Sequence, residues 1–182
     1  MTVAVRPAVE DDLAAIAEIR VRSWQAAYHG IVPQGYLDSM RPEADADRRR
    51  ARLARSGDPR RDAIGTLAGQ AAGWVAYGPY RDDDAPVRGA GEVYAIYVHP
   101  DHWGRGVGQA LIQYALGELH TGGLAPVLLW VLEANARARR FYEREGFRPD
   151  GARHLFEIAG VRLPEVRYRR GRRWPPRARR RR

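Results

Sequence analysis

The sequence contains no cysteine and no lysine. The first absence excludes disulfides, a thiolate nucleophile and cysteine-ligated metal sites. The second makes all 31 basic residues arginine. A Walker A phosphate loop, which needs a lysine, is therefore excluded. Apolar runs long enough to span a bilayer are also missing, so no transmembrane helix is expected. The opening residues, MTVAVRPAVEDD, turn acidic before an apolar stretch of signal-peptide length can develop. The expected location is cytoplasmic.

What is present suits one domain, because 182 residues bury a sizeable core. The net charge of +9 suggests a nucleic-acid ligand, but its distribution argues against one. The last twelve residues, GRRWPPRARRRR, hold seven arginines and no acid, and without them the charge falls to +2. The expected organisation is a nearly neutral domain over residues 1–170 and a disordered arginine-rich tail over 171–182. Trp174, Pro175 and Pro176 keep that tail from being helical throughout. Such a tail can bind polyanions non-specifically, with steep salt dependence. A solvated end without a role is the simpler reading.

Periodicity places a strand at residues 2–7 and a helix after Asp11 or Asp12, with apolar positions Leu13, Ile16, Ala17, Val21 and Trp24. A second helical region runs from about Pro33 to Leu53, interrupted at Pro42. Strands follow at Ala63–Leu67 and Ala72–Tyr80, split by a turn at Ala68–Gln70. The central strand spans Glu92–Val98, and the helix after it Arg105–His120. The apolar run VLLWVL is a further strand. Asn135 can cap a helix that stops at Gly146. Phe147–Ile158 and Glu165–Arg169 complete the pattern as antiparallel strands. The order β-α-α-β-β-β-α-β-α-β-β predicts a mixed α/β fold, one sheet flanked by helices.

The most informative stretch is HPDHWGRGVGQALI, His99 to Ile112, directly after the strand EVYAIYV. Gly104, Gly106 and Gly108 leave bare backbone at the start of an amphipathic helix, where N–H groups can converge on a phosphate. A Rossmann fingerprint does not fit, because Gln109 or Leu111 falls where its last glycine belongs. The strand and G-R-G-V-G turn resemble the acetyl-CoA motif of the GNAT superfamily of N-acetyltransferases, [QR]-x-x-G-x-[GA]. Trp103 stands at its first position. A second motif strengthens the resemblance. In VLEANARARRFYEREGF, residues Asn135, Ala138, Phe141, Tyr142, Gly146 and Phe147 match the family's N-x-x-A-x-x-F-Y-x-x-x-G-F.

The resemblance implies a GNAT-like single domain. Its mixed, mostly antiparallel sheet would have six or seven strands, flanked by about four helices. It also implies acetyl-CoA as cosubstrate and transfer to a primary amine by direct attack in a ternary complex. The cofactor would be held by Ile96, Tyr97 and Val98 of the central strand, and by Gly104, Arg105, Gly106, Val107, Gly108 and Gln109 of the turn. Asn135, Ala138 and Tyr142 would complete that site. The strand backbone near Ile96 or Tyr97 would supply the oxyanion donor.

Amine acetylation requires an amine freed of its proton and a proton for the departing thiolate. The resemblance makes Glu92 the candidate base and Tyr142 the candidate acid. A solvated or arginine-paired carboxylate and a core aromatic are the competing readings. By strand alternation Glu92, Tyr94, Ile96 and Val98 share one face unless a bulge intervenes. Trp24 and Tyr28, with Tyr80 and Tyr94 opposite, are candidates to line the acceptor site. Asp82–Asp84 could attract a cationic amine. His99 and His102 lack the context of a metal site. With no lysine, the chain offers no side-chain amine for self-acetylation.

Two other readings are a non-catalytic acyl-CoA-binding module of the same fold and a nucleic-acid-associated protein acting through the tail. Either a monomer or a homodimer fits the sequence.

Overall fold

The computed structural model describes residues 2–53, 57–81 and 87–171. Asp82–Asp84 and the arginines of the tail lie outside them. The strands are β1 (Val3–Pro7), β2 (Arg61–Leu67), β3 (Gln70–Pro79), β4 (Gly91–Val98), β5 (Val127–Leu132), β6 (Arg148–Ile158) and β7 (Val161–Arg170). The helices are α1 (Leu13–Ala27), α2 (Gln34–Ser39), α3 (Pro42–Leu53), α4 (Val107–Thr121) and α5 (Ala136–Arg144). One seven-stranded sheet runs in the order β1-β2-β3-β4-β5-β7-β6. Its one parallel pair is β4 with β5.

The five α-helices agree with the expected number of about four, and the break expected at Pro42 is the boundary between α2 and α3, with Pro42 opening α3. Proline is well placed at a first helical position, where no N–H bond is lost. Asp12 sits before α1 without capping it; its carboxylate holds Arg6 at 2.6 and 2.8 Å and accepts from the Val9 N–H at 2.8 Å.

The expected alternation along β4 fails. Ala95 faces Ala76 in the register, yet Val93 faces Tyr77, so Tyr94 is the extra residue of a bulge. Val93, Ile96 and Val98 pack with Val107, Leu111 and Ala115 of α4. Tyr94, Ala95 and Tyr97 pack on the opposite face, with Ile16 of α1. Glu92 and Tyr94 therefore do not share a face with Ile96 and Val98.

An ionic cluster fixes α3 against α1 and the sheet. Asp45 and Arg49 are both buried. The Asp45 carboxylate accepts from Arg49 Nε at 2.7 Å and from Arg20 Nη1 at 3.0 Å. The Arg49 guanidinium lies 4.1 Å over the Trp74 ring, and burial lowers its pKa despite the nearby Asp45. Removing the carboxylate leaves a buried cation without its main partner. Asp45→Ala should lower unfolding free energy by roughly 3–5 kcal/mol in urea titrations. A loss below about 1 kcal/mol would mean that water reaches the guanidinium.

Candidate active site

β4 and β5 pair only at their beginnings, Gly91 with Val127 and Glu92 with Leu128. Beyond that point they diverge. His99 donates its N–H to Ala72 of β3 at 2.9 Å. Alternation then turns the N–H and C=O groups of Val98 and Ile96 toward the gap, and those of Tyr97 toward β3. The strand edge facing the gap therefore offers the N–H and C=O of Ile96 and the N–H of Val98, whose carbonyl is already taken by Trp103 and Ser23.

The gap opens into a cleft of about 1140 Å³. At one end stands the glycine turn. Gly104 and Gly106 have φ of +75° and +82°, values that L side chains adopt only with strain. The left-handed Gly106 delays the start of α4 to Val107, and no side chain caps the helix. Its first N–H groups are left for a ligand. The helix dipole adds positive potential at the same place.

Trp103 ties this turn to the sheet. Its Nε1–H donates to the Val98 carbonyl at 2.7 Å, and the same oxygen accepts from Ser23 Oγ at 2.8 Å. The Arg137 guanidinium stacks 3.3 Å over the Trp103 ring. Among the described residues Arg137 has no carboxylate partner, and burial lowers its pKa. An unneutralised cation thus lies beside the glycine turn. Asn135 Oδ1 accepts from Ala138 N–H at 3.0 Å, so it caps α5 while lining the cleft.

The other end of the cleft is aromatic. Trp24 and Tyr28 meet edge to face at 4.8 Å, and Tyr97 lies 6.4 Å from Trp24. Burial, and then the neighbouring Tyr97, push the Tyr28 phenol well up. Trp130 and His154 stack at 4.0 Å across the opposite wall. Tyr142 projects from α5 and packs on Phe141, Phe147 and Tyr168. Its hydroxyl has no hydrogen-bond partner among the described residues, and burial raises its pKa well above the ordinary phenol value.

Three carboxylates line the cleft, Glu92, Glu145 and Glu165. Glu145, just after α5, accepts from Gln113 Nε2 at 2.7 Å. Glu92 accepts from the Arg81 N–H at 3.3 Å, and its Oε2 is 3.5 Å from Arg81 Nε. Arg81 in turn lies 3.6 Å over the Tyr94 ring, whose burial raises its phenol to about 12. The Tyr94 hydroxyl donates to the Pro79 carbonyl. Glu165 of β7 is paired with His154 of β6 at 2.6 Å.

Of the residues singled out in the sequence, the cleft gathers Trp24, Tyr28, Glu92, Tyr94, Ile96, Tyr97, Val98, Gly104, Gly106, Val107, Gly108, Gln109, Asn135, Ala138 and Tyr142. Arg105 is exposed and stays outside its lining. Tyr80 also stays outside, and its hydroxyl accepts from Arg167 at 2.8 Å. Sequence reasoning passed over Ser23, Arg137, Trp130, His154 and Glu165. The last two had a usable signal. Ala159 and Gly160, at φ of +49° and +78°, form a two-residue turn. Once that turn is placed, register alone sets His154 opposite Glu165.

Residues 13–147 match the model of the acetyltransferase (GNAT) family. The chain is 34% identical to an uncharacterized N-acetyltransferase, YuaI, of Bacillus subtilis over 95% of its own length and 93% of that protein. A mycothiol acetyltransferase of Beutenbergia cavernae is 45% identical, but over only 35% of this chain and 22% of that one. In fold, a GCN5-related N-acetyltransferase from Rhodopseudomonas palustris superposes with a TM-score of 0.72 at 23% identity, covering 94% of this chain and 96% of the other. YncA of Salmonella typhimurium, solved with acetyl-CoA, gives 0.68 at 22% identity, with 94% of each chain covered. A family match over most of the domain, a relative aligned nearly end to end and a sheet split between β4 and β5 agree: the chain belongs to the GNAT family of acetyltransferases, acyltransferases that use acetyl-CoA.

Proposed function

We propose that the protein transfers an acetyl group from acetyl-CoA to a primary amine within a ternary complex. The observation that carries this reading is the split between β4 and β5, with Tyr142 on one side and the glycine turn at its mouth. The site fits a CoA ligand. The turn offers uncapped N–H groups and glycines that bring no side chain toward a phosphate. Arg137 adds positive charge there. Ile96 and the Val98 N–H offer strand backbone to an amide-bearing arm, and Asn135 and Ala138 border it. When bound, acetyl-CoA supplies a thioester whose acyl carbon is open to nucleophiles.

The remaining work falls to the chain. The Ile96 N–H, directed into the split, is placed to donate to a carbonyl oxygen that gains charge. The Tyr142 phenol, kept protonated by burial, is the proton donor for a departing sulfur. Apolar rings at the far end exclude water and receive the body of the acceptor. Tail binding to polyanions would be a separate property.

The test is acetyl-CoA-dependent thiol release by the full chain over a panel of phenethylamine, spermidine, glycine, kanamycin and an alanine-initiated peptide. Release above the no-amine rate for at least one member is expected. Binding of acetyl-CoA without release for any member would favour a non-catalytic acyl-CoA-binding module.

A further inference from the structure

Of the three carboxylates of the cleft, Glu145 is tied to Gln113 of α4, and the other two differ in the company they keep. Glu92 is paired with Arg81, and its side chain is 9% exposed. A guanidinium does not give up its proton near neutral pH, so a fixed cation already stands beside this carboxylate where an ammonium would dock. Glu165 has no arginine in ion-pairing distance among the described residues. Its Oε2 is 2.6 Å from His154 Nε2. The Glu165 side chain is 16% exposed and that of His154 43%, so the pair runs from the cleft wall to bulk water. Stacking on Trp130 fixes the imidazole plane.

The surroundings leave the charge of Glu165 available. From the end of α1 and from α5, Tyr28 and Tyr142 face it. Burial is the main cause of their raised pKa values, and the Glu165 charge adds to both. Beside the pair, Glu133 carries Arg153, and Arg167 is held by Asp150 and Tyr80. The cleft therefore presents a carboxylate whose ion-pair partner among the described residues is a solvent-exposed imidazole rather than an arginine, in a wall that also carries the rings of Trp24, Tyr28, Trp130 and Phe156.

We propose that Glu165 and His154 form the acceptor site's ammonium anchor and proton exit, and that the acceptor is a primary alkylammonium with an apolar body. The inference rests on the acetyl-transfer reading above. The ammonium docks on the Glu165 carboxylate. One N–H bond breaks, and its proton passes to the carboxylate–imidazole pair and from His154 to solvent. The freed lone pair forms the bond to the acyl carbon, and the carbon–sulfur bond breaks with its electrons on sulfur. Tyr142 protonates that sulfur. The second proton lost by the nitrogen restores the phenol, which balances the transfer.

The test is the pH dependence of kcat/KM for the panel amine that turns over fastest, in the full chain and in Glu165→Gln, His154→Gln and Glu92→Gln. Without a base, rate follows the free amine and rises about tenfold per pH unit below an amine pKa near ~10. Glu165→Gln should lose roughly a hundredfold at pH 7 and recover as pH approaches that value. It should raise KM as well, because the anchor is gone, while keeping the thermal shift caused by acetyl-CoA. His154→Gln, at a half-exposed position that tolerates exchange, should show the same pH-rescued loss with less effect on KM. If Glu92→Gln shows that pattern and the Glu165 and His154 variants do not, Glu92 is the base and the proposal is overturned. A wild-type profile in His154→Gln also overturns it. If the wild type acetylates no panel amine, the transfer reading fails first and takes this proposal with it.

Discussion

Acetyl-CoA at one hundred times its Kd should stabilise the full chain by about 2.7 kcal/mol, and Gly106→Glu should abolish that gain. At about 2–4 °C per kcal/mol for a domain of this size, the wild-type shift is roughly 5–11 °C. Two effects meet in the variant, and they can be separated. Gly106 sits at φ +82°, so any side chain there costs on the order of 1–3 kcal/mol of backbone strain. Nothing lies within 4 Å of a Cβ built at this position, so space is not the obstacle. Gly106→Ala carries the strain without the charge. It should melt lower than the wild type yet keep most of the acetyl-CoA shift. Gly106→Glu adds a carboxylate where the uncapped N–H groups of α4 would meet a phosphate, and repulsion removes the shift. Differential scanning fluorimetry with and without acetyl-CoA reads both. A full shift in Gly106→Glu would show that the turn does not hold the phosphates, and equal loss in Gly106→Ala would assign the effect to strain.

The turn was legible in the sequence because its chemistry is local. Glycines at left-handed positions and an uncapped helix start leave a signature within six residues. Asn135 was legible for the same reason, since its cap on Ala138 spans one helical turn. The bulge at Tyr94 was not. It lies inside an unbroken apolar run, and only the register with β3 shows that Val93 and Ile96 share a face. The start of β7 was hidden by Pro164, a residue that normally argues against an interior strand. Here β5 ends its pairing at Glu165, so at Pro164 the strand has passed its neighbour and no N–H is missed. The Pro164 carbonyl still accepts from Glu133 N–H at 2.8 Å. With the first half of β7 unseen, the two-residue turn at Ala159–Gly160 went unused, and with it the register that sets His154 opposite Glu165. The Trp103–Arg137 stack joins residues 34 positions apart, and neither motif implies it.

Tyr142→Phe should reduce the rate of the acetyl-transfer step by roughly ten- to ten-thousand-fold while leaving acetyl-CoA affinity nearly unchanged. The substitution removes one hydroxyl and keeps the ring that packs on Phe141, Phe147 and Tyr168. Since that hydroxyl has no partner among the described residues, its loss orphans no protein group and should change stability little. Burial raises the phenol's pKa, and the charge of Glu165 adds to the shift. The sign follows directly. A raised pKa means that the proton-bearing form persists at every pH up to at least the ordinary phenol value of about 10. Tyr142 should therefore contribute no alkaline fall in rate between pH 6 and about 9. Its high pKa also makes it a reluctant donor, so its effect should come from a hydrogen bond and proton given late, as charge accumulates on sulfur. Single-turnover kinetics with excess enzyme isolates this step from product release. Wild-type single-turnover rates in Tyr142→Phe would remove the phenol from the mechanism and leave Tyr142 as a packing residue of α5.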